Sequence, residues 1–156
     1  MNIRACHSAD DYNAARSMFR EYADHLSIDL CFQNFSEELK NIEHIYGPPE
    51  GSLLFAEDLS GNQLGCVAIR KVKTAACELK RMYVRTEFRR QGIGKILLDH
   101  ALDIAGQLGY RQIRLETLPS MKDARQLYFS RGFSEITSDS AGHAGETLFM
   151  ERELGI

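Results

Sequence analysis

Apolar residues recur along this chain with two periods, and the switches between them lay out its elements. Ala15, Met18, Phe19, Tyr22 and Leu26 stand at helical spacing, so a first helix runs to about residue 26. Ser8, three residues before Asp11, marks its start as a capping box with Asp replacing the usual Glu. Ahead of it, Asn2 to His7 reads as a short, mixed strand. Leu39, Ile42 and Ile45 form the stripe of a second helix. Ser36 caps it, Glu37 and Glu38 suit its positive first turn, and Gly47-Pro48-Pro49 ends it. The period then falls to two. Ser52 to Glu57 and Gln63 to Val72 read as strands joined by the turn residues Asp58-Leu59-Ser60-Gly61-Asn62, and Ala76 to Val84 continues the meander.

Helical spacing returns at Ile93, Leu97, Ala101, Ile104 and Leu108, and Gly109 supplies the left-handed stop. Arg111 to Leu118 alternates, with Ile113, Leu115 and Thr117 on one face, and Pro119 closes it. Lys122 to Arg131 is a short helix ended by Gly132. Phe133 to Ile136 and Thr147 to Leu154 read as final strands, joined by the Ser/Gly-rich stretch Ser138 to Gly145. A strand, a helix and a strand in about 40 residues is a βαβ unit, which implies a parallel pair in a mixed sheet.

One strand carries a defect. In Ala76 to Val84, Cys77 and Leu79 point one way, the next place on that face is Arg81, and Met82 and Val84 resume one residue late. A one-residue slip of the apolar face is the signature of a β-bulge, which takes a main-chain N–H out of the ladder.

Length and composition narrow the class. At 156 residues with 44% hydrophobic and 26% charged residues, the chain reads as one globular domain over residues 1–156. No apolar run approaches the length of a membrane span, and the first residues lack the apolar core of a signal peptide. The cysteines, Cys6, Cys31, Cys66 and Cys77, show no C-x-x-C spacing, and the five histidines form no H-x-x-x-H pair. A reduced, cytoplasmic protein without a structural metal is therefore expected. The net charge of −3 argues against bulk nucleic-acid binding.

Against that balance, six Lys/Arg and a single acid, Glu87, stand between Lys80 and Lys95. This basic stretch contains Arg89-Arg90-Gln91-Gly92-Ile93-Gly94-Lys95 at the mouth of the long helix. Two glycines there let the backbone approach a ligand, and a helix start offers unpaired N–H groups to an anion such as phosphate. A P-loop is excluded, since residue 96 is Ile and no earlier glycine has the spacing. A dinucleotide fingerprint fails at Leu97. What remains is Arg-x-x-Gly-x-Gly after a strand, or a plain strand–turn–helix junction carrying surface arginines.

Three stretches in fixed order resemble the GNAT acetyltransferase superfamily. Glu78-Leu79-Lys80-Arg81-Met82-Tyr83-Val84 is similar to its fourth strand, and Arg89 to Gly94 to its pyrophosphate loop. Ala124-Arg125-Gln126-Leu127-Tyr128 followed by Arg131-Gly132-Phe133 resembles its last conserved helix and turn. The resemblance implies an α/β (α+β) fold, with a mixed central sheet of about six to seven strands flanked by about four helices. It is strongest from Glu78 to Phe133, about a third of the chain; residues 1 to 75, which shape the acceptor side in the superfamily, match in pattern only. Many members carry Asn three residues before the alanine of the late helix; here that place is Met121, which removes one polar contact to the pantetheine arm.

The resemblance implies an acetyl-CoA-dependent N-acetyltransferase with these roles. Main-chain groups of Met82, Tyr83 and Val84 hold the pantetheine and face the acetyl carbonyl, a donor worth roughly 3 kcal/mol in the transition state. Amides of the loop Arg89, Arg90, Gln91, Gly92, Ile93, Gly94 and Lys95 hold the pyrophosphate. Tyr128 is the acid for the departing thiolate, or a core tyrosine. Glu78 is the base for the amine, with Glu116 or a water chain as alternatives, or else an ordinary strand-face carboxylate. Tyr22, His25, Phe32, Phe35 and His44 either line the acceptor site or belong to core and surface. The expected partner is a small-molecule or amino-acid-like amine, with no nucleic acid and no membrane; a homodimer through the late strands is the superfamily's habit. Acetylation of a protein amine and acyl-CoA sensing without turnover are the other readings, separated by amine-dependent release of free thiol.

Overall fold

The computed structural model describes residues 1–26, 34–136 and 148–155. Seven strands, β1 (Asn2–Ala5), β2 (Ser52–Glu57), β3 (Gln63–Lys73), β4 (Ala76–Val84), β5 (Gln112–Thr117), β6 (Ser134–Ile136) and β7 (Leu148–Glu153), form one mixed sheet in the order β1-β2-β3-β4-β5-β7-β6. Every neighbouring pair is antiparallel except β4–β5. The described helices are α1 (Ala9–Leu26), α2 (Phe35–Lys40), α3 (Ile42–Tyr46), α4 (Ile93–Gln107) and α5 (Lys122–Ser130). Helix α4 crosses between β4 and β5 as the βαβ unit requires.

Strand alternation divides the core into two. Leu54, Ala56, Ile69, Leu79, Ile113 and Leu115 pack with the buried face of α4, Leu97, Leu98 and Ala101. Leu53, Phe55, Cys66 and Ala68 point to the opposite face and meet Ala15, Met18 and Phe19 of α1 with Ile42 and Tyr46 of α3. Leu108, placed on the α4 stripe by its spacing, is 38% exposed because the helix ends at Gln107 and Gly109 turns the chain at φ 93°.

Helix α1 starts as its sequence predicts. The Asp11 amide donates to Ser8 Oγ at 3.1 Å, and the Ser8 amide donates back to Asp11 Oδ2 at 3.4 Å. Arg4 of β1 grips the same carboxylate at 2.8 and 2.9 Å and reaches Glu57 of β2 at 2.9 and 3.0 Å. The turn Asp58–Asn62 closes through Asp58, whose Oδ1 accepts from the amides of Ser60 and Asn62.

The second predicted helix is two. Asn34, left-handed at φ 57°, precedes α2, and Ser36 sits inside the first turn instead of capping it. Asn41 then breaks the run. Its amide and its side-chain Nδ2 both donate to Glu37 O, and its own carbonyl starts α3. A short amide side chain competing for helix carbonyls is the reason. Phe32, Cys31, the stretch Ser138 to Gly145 and the expected strand start at Thr147 lie outside the described residues.

Candidate active site

The slip read in β4 is a bulge. Cys66 of β3 faces Tyr83 and Ala68 faces Lys80, so Val67 alone opposes Arg81 and Met82. Arg81 takes the strain at φ 57°. Before it, Cys77 and Leu79 join the core under α4; after it, Met82 and Val84 pack against that same core. Gly65 of β3 permits the close backbone approach, since a Cβ there would stand 2.5 Å from Tyr83 O.

The Arg81 side chain fixes the bulge from the other face. Nε and Nη2 donate to the two oxygens of Glu38 on α2 at 2.9 and 2.6 Å, and Tyr46 Oη donates to Glu38 at 2.9 Å. Its guanidinium lies 5.4 Å from the Phe35 ring centre and 6.0 Å from that of Tyr22. Bonded this way, the Glu38 carboxyl stays below the usual glutamate value although burial pushes it up. The sequence marked Arg81 as a defect but gave no hint of Glu38, which is 43 residues away.

Just ahead of the bulge the sheet parts. Strands β4 and β5 pair only at Ala76↔Gln112, Cys77↔Ile113 and Glu78↔Arg114. The later part of β4 borders a cleft of about 580 Å³. Of the residues assigned to the coenzyme by sequence, Met82, Tyr83, Val84, Arg89, Arg90, Gly92, Ile93, Gly94 and Lys95 all line this cleft; Gln91 does not and is exposed on the loop. Arg90 at φ 64° and Gly92 at φ 80° turn the chain into α4. Gly92 gives the helix no side-chain cap, and no acid stands in its first turn, so its leading amides and positive dipole end carry no anion of their own.

The cations differ. Arg89 Nε donates to Val84 O at 2.9 Å, and its guanidinium lies 5.9 Å from the Tyr83 ring centre, so this arginine braces the loop. Arg90 and Lys95 are exposed at the cleft, joined by Lys122 and Asp123 from α5. The last two and Ser120 had no signal in the sequence beyond their place at a helix start.

None of the catalytic candidates Tyr128, Glu78 and Glu116 lines this cleft itself. Tyr128 is 6% exposed in the core under α4, edge-on to Phe133 at 5.8 Å, while its neighbours Ala124 and Leu127 line the cleft. Its hydroxyl makes no hydrogen bond to a described residue. Burial pushes its phenol well above the usual value, and Tyr22 across the cleft adds to this, so it stays protonated. Glu78, at the last rung before β4 and β5 part, is 8% exposed and accepts from Arg70 Nε at 2.9 Å. It does not line the cleft. Glu116 of β5 pairs with Phe149 of β7. Tyr22 and His25 of α1 line the cleft beside Met82, Phe35 stacks on Arg81, and His44 is exposed on α3.

A mixed sheet parted beside a bulged strand, with a glycine-opened helix at the gap, is the architecture of the N-acetyltransferases. A model of the acetyltransferase (GNAT) family matches residues 12–133. An uncharacterized N-acetyltransferase of Schizosaccharomyces pombe is 37% identical over 155 residues, 99% of this chain and 95% of that one. The N-acetylaspartate synthetase of Homo sapiens is 34% identical over 119 residues, 75% of this chain and 39% of its own length. Among solved structures, a GNAT-family acetyltransferase from Staphylococcus aureus superposes with a TM-score of 0.79 at 24% identity, covering 99% of this chain and 100% of that one. The chain belongs to the acetyltransferase (GNAT) family and is an N-acetyltransferase.

Proposed function

We propose that this protein transfers the acetyl group of acetyl-CoA directly to the primary amine of a small, amino-acid-like acceptor. The observation that carries the reading is the meeting, in one cleft, of a bulged strand edge and an uncapped, glycine-opened helix start. The coenzyme's diphosphate is held by the amides leading α4, with Arg90 and Lys95 beside it. The pantetheine runs along Met82 to Val84, and the bulge turns a main-chain donor toward the thioester carbonyl, where it steadies the developing oxyanion.

The chemistry then needs two proton transfers. The acceptor's ammonium loses a proton through water to Glu78, and the neutral nitrogen attacks the carbonyl carbon. The C–S bond breaks, and the thiolate of coenzyme A takes a proton from the Tyr128 hydroxyl, which bulk water restores. The similarity to N-acetylaspartate synthetase supports an acceptor of amino-acid type. The test is direct: acetyl-CoA, the protein and a panel of free amines, with release of free thiol followed over time. Thiol release that depends on an amine, with the matching N-acetyl product by mass, is expected. Release only with peptide or protein amines would move the assignment to a protein acetyltransferase.

A further inference from the structure

The face of β4 opposite α4 carries charge that its partners account for, with one exception. Glu78, Lys80 and the bulge residue Arg81 all reach toward the side on which α1, α2 and α3 pack. Lys80 stands directly across from Ala68, whose side chain belongs to the α1–α3 core, so both face that way. Glu78 is taken by Arg70, and Glu38 by Arg81 and Tyr46. Lys80 is half-buried, and among the described residues no carboxylate lies within ion-pairing distance of its ammonium.

That arrangement is costly for a resting protein. Burial pushes the Lys80 ammonium's pKa down; Glu78 and Glu38 only partly counter this from a distance, and Arg81 and Arg70 add to the lowering. A half-buried charge without a partner is disfavoured unless something supplies the counter-charge. Its place is also informative. Lys80 is two residues along the strand from Met82 and two from Glu78, on the same face as Glu78.

We propose that Lys80 is the specificity residue for the acceptor, and that the acceptor carries a carboxylate beside its amine. An α-amino acid supplies both groups: its ammonium is presented toward Glu78 and the bulge, and its carboxylate pairs with Lys80, which like Glu78 lies behind the residues that line the cleft. This rests on the reading above of a small, amino-acid-like acceptor and adds to it the side chain that selects the acceptor's carboxylate.

The experiment compares matched acceptors with purified protein and acetyl-CoA. Each L-amino acid is paired with the amine left when its carboxylate is removed, for example L-phenylalanine with 2-phenylethylamine. The wild type is expected to favour the carboxylate-bearing member by at least about tenfold in kcat/KM, the scale of one charge-assisted hydrogen bond. In Lys80→Met that preference collapses to near unity through KM, and Lys80→Arg keeps most of it. The melting temperature of Lys80→Met is expected not to fall, because an uncompensated charge has been removed. Equal use of both members by the wild type overturns this inference alone. So does a Lys80→Met variant that loses both members equally or melts earlier. Thiol release with no free amine of either kind overturns the small-amine reading and this inference together.

Discussion

At the scale of single residues, the two proton-handling side chains are tested by different measurements. Tyr128 is buried and protonated and borders the cleft through its helix neighbours. Replacing it with Phe removes only the hydroxyl, and Tyr128→Phe is expected to lower kcat about a hundredfold. Calorimetric affinity for acetyl-CoA should change less than about threefold by the same reasoning. An equal loss in both would make it a packing residue. Glu78→Gln keeps shape but removes the acceptor for the amine's proton. Its pH–rate profile should lose the acidic limb of the wild type at similar acetyl-CoA affinity, and an unchanged profile removes Glu78 from the mechanism. Neither role could be read from the side chain alone, because burial, the Arg70 contact and the distance across the cleft are set by elements far apart in sequence.

At the scale of elements, the glycine loop separates what the fold needs from what a ligand needs. Gly92 holds φ 80°, a conformation other residues resist, so the fold explains it. Gly94 lies inside α4 with no such constraint. A Cβ there would meet Leu127 and Val84 at 3.8 Å, ordinary van der Waals contact. Alanine is the better helix former by up to about 1 kcal/mol. Gly94→Ala should therefore leave the melting temperature unchanged or raise it, while weakening acetyl-CoA binding at least about tenfold, because the added methyl intrudes where the diphosphate approaches the amides. Loss of stability with intact binding would reverse that assignment. The bulge in β4 and the ends of α1 and α4 were legible because each is a local conflict or a local hydrogen bond. The break at Asn41 was not, since an amide on a helical stripe reads as one more polar position.

At the scale of the whole molecule, the ion cluster of Arg4, Asp11 and Glu57 ties β1, α1 and β2 together ahead of the site. Hydrogen bonds from Arg4 hold the Asp11 and Glu57 carboxyls below their usual range, Asp11 the further. For carboxyls depressed in the folded state, the stabilisation is present above the unfolded value, near pH 4, and is lost as pH falls through the lower folded values. Stability from urea melts should be flat from pH 7 to about 5 as far as this cluster is concerned, and should drop below about 4. Asp11→Asn is expected to cost about 2 kcal/mol at pH 7 and to show a shallower drop in acid. A variant with the wild-type slope would show that the acid response lies elsewhere. No helix among the described residues is long and apolar enough to cross a membrane.

Sequence alone determined whatever depends on neighbours along the chain. It set the two apolar periods, the capping pair Ser8–Asp11, the slip at Arg81 and the glycines that open α4. These follow from backbone geometry and side-chain spacing, which act over a few residues. Only the folded molecule decided which charges are satisfied. Glu38 found Arg81 across 43 residues, Glu78 found Arg70 on the next strand, and Lys80 between them was left without a described partner. Pairing of that kind is settled by where the sheet parts and which helix packs over it, and no spacing along the chain encodes it.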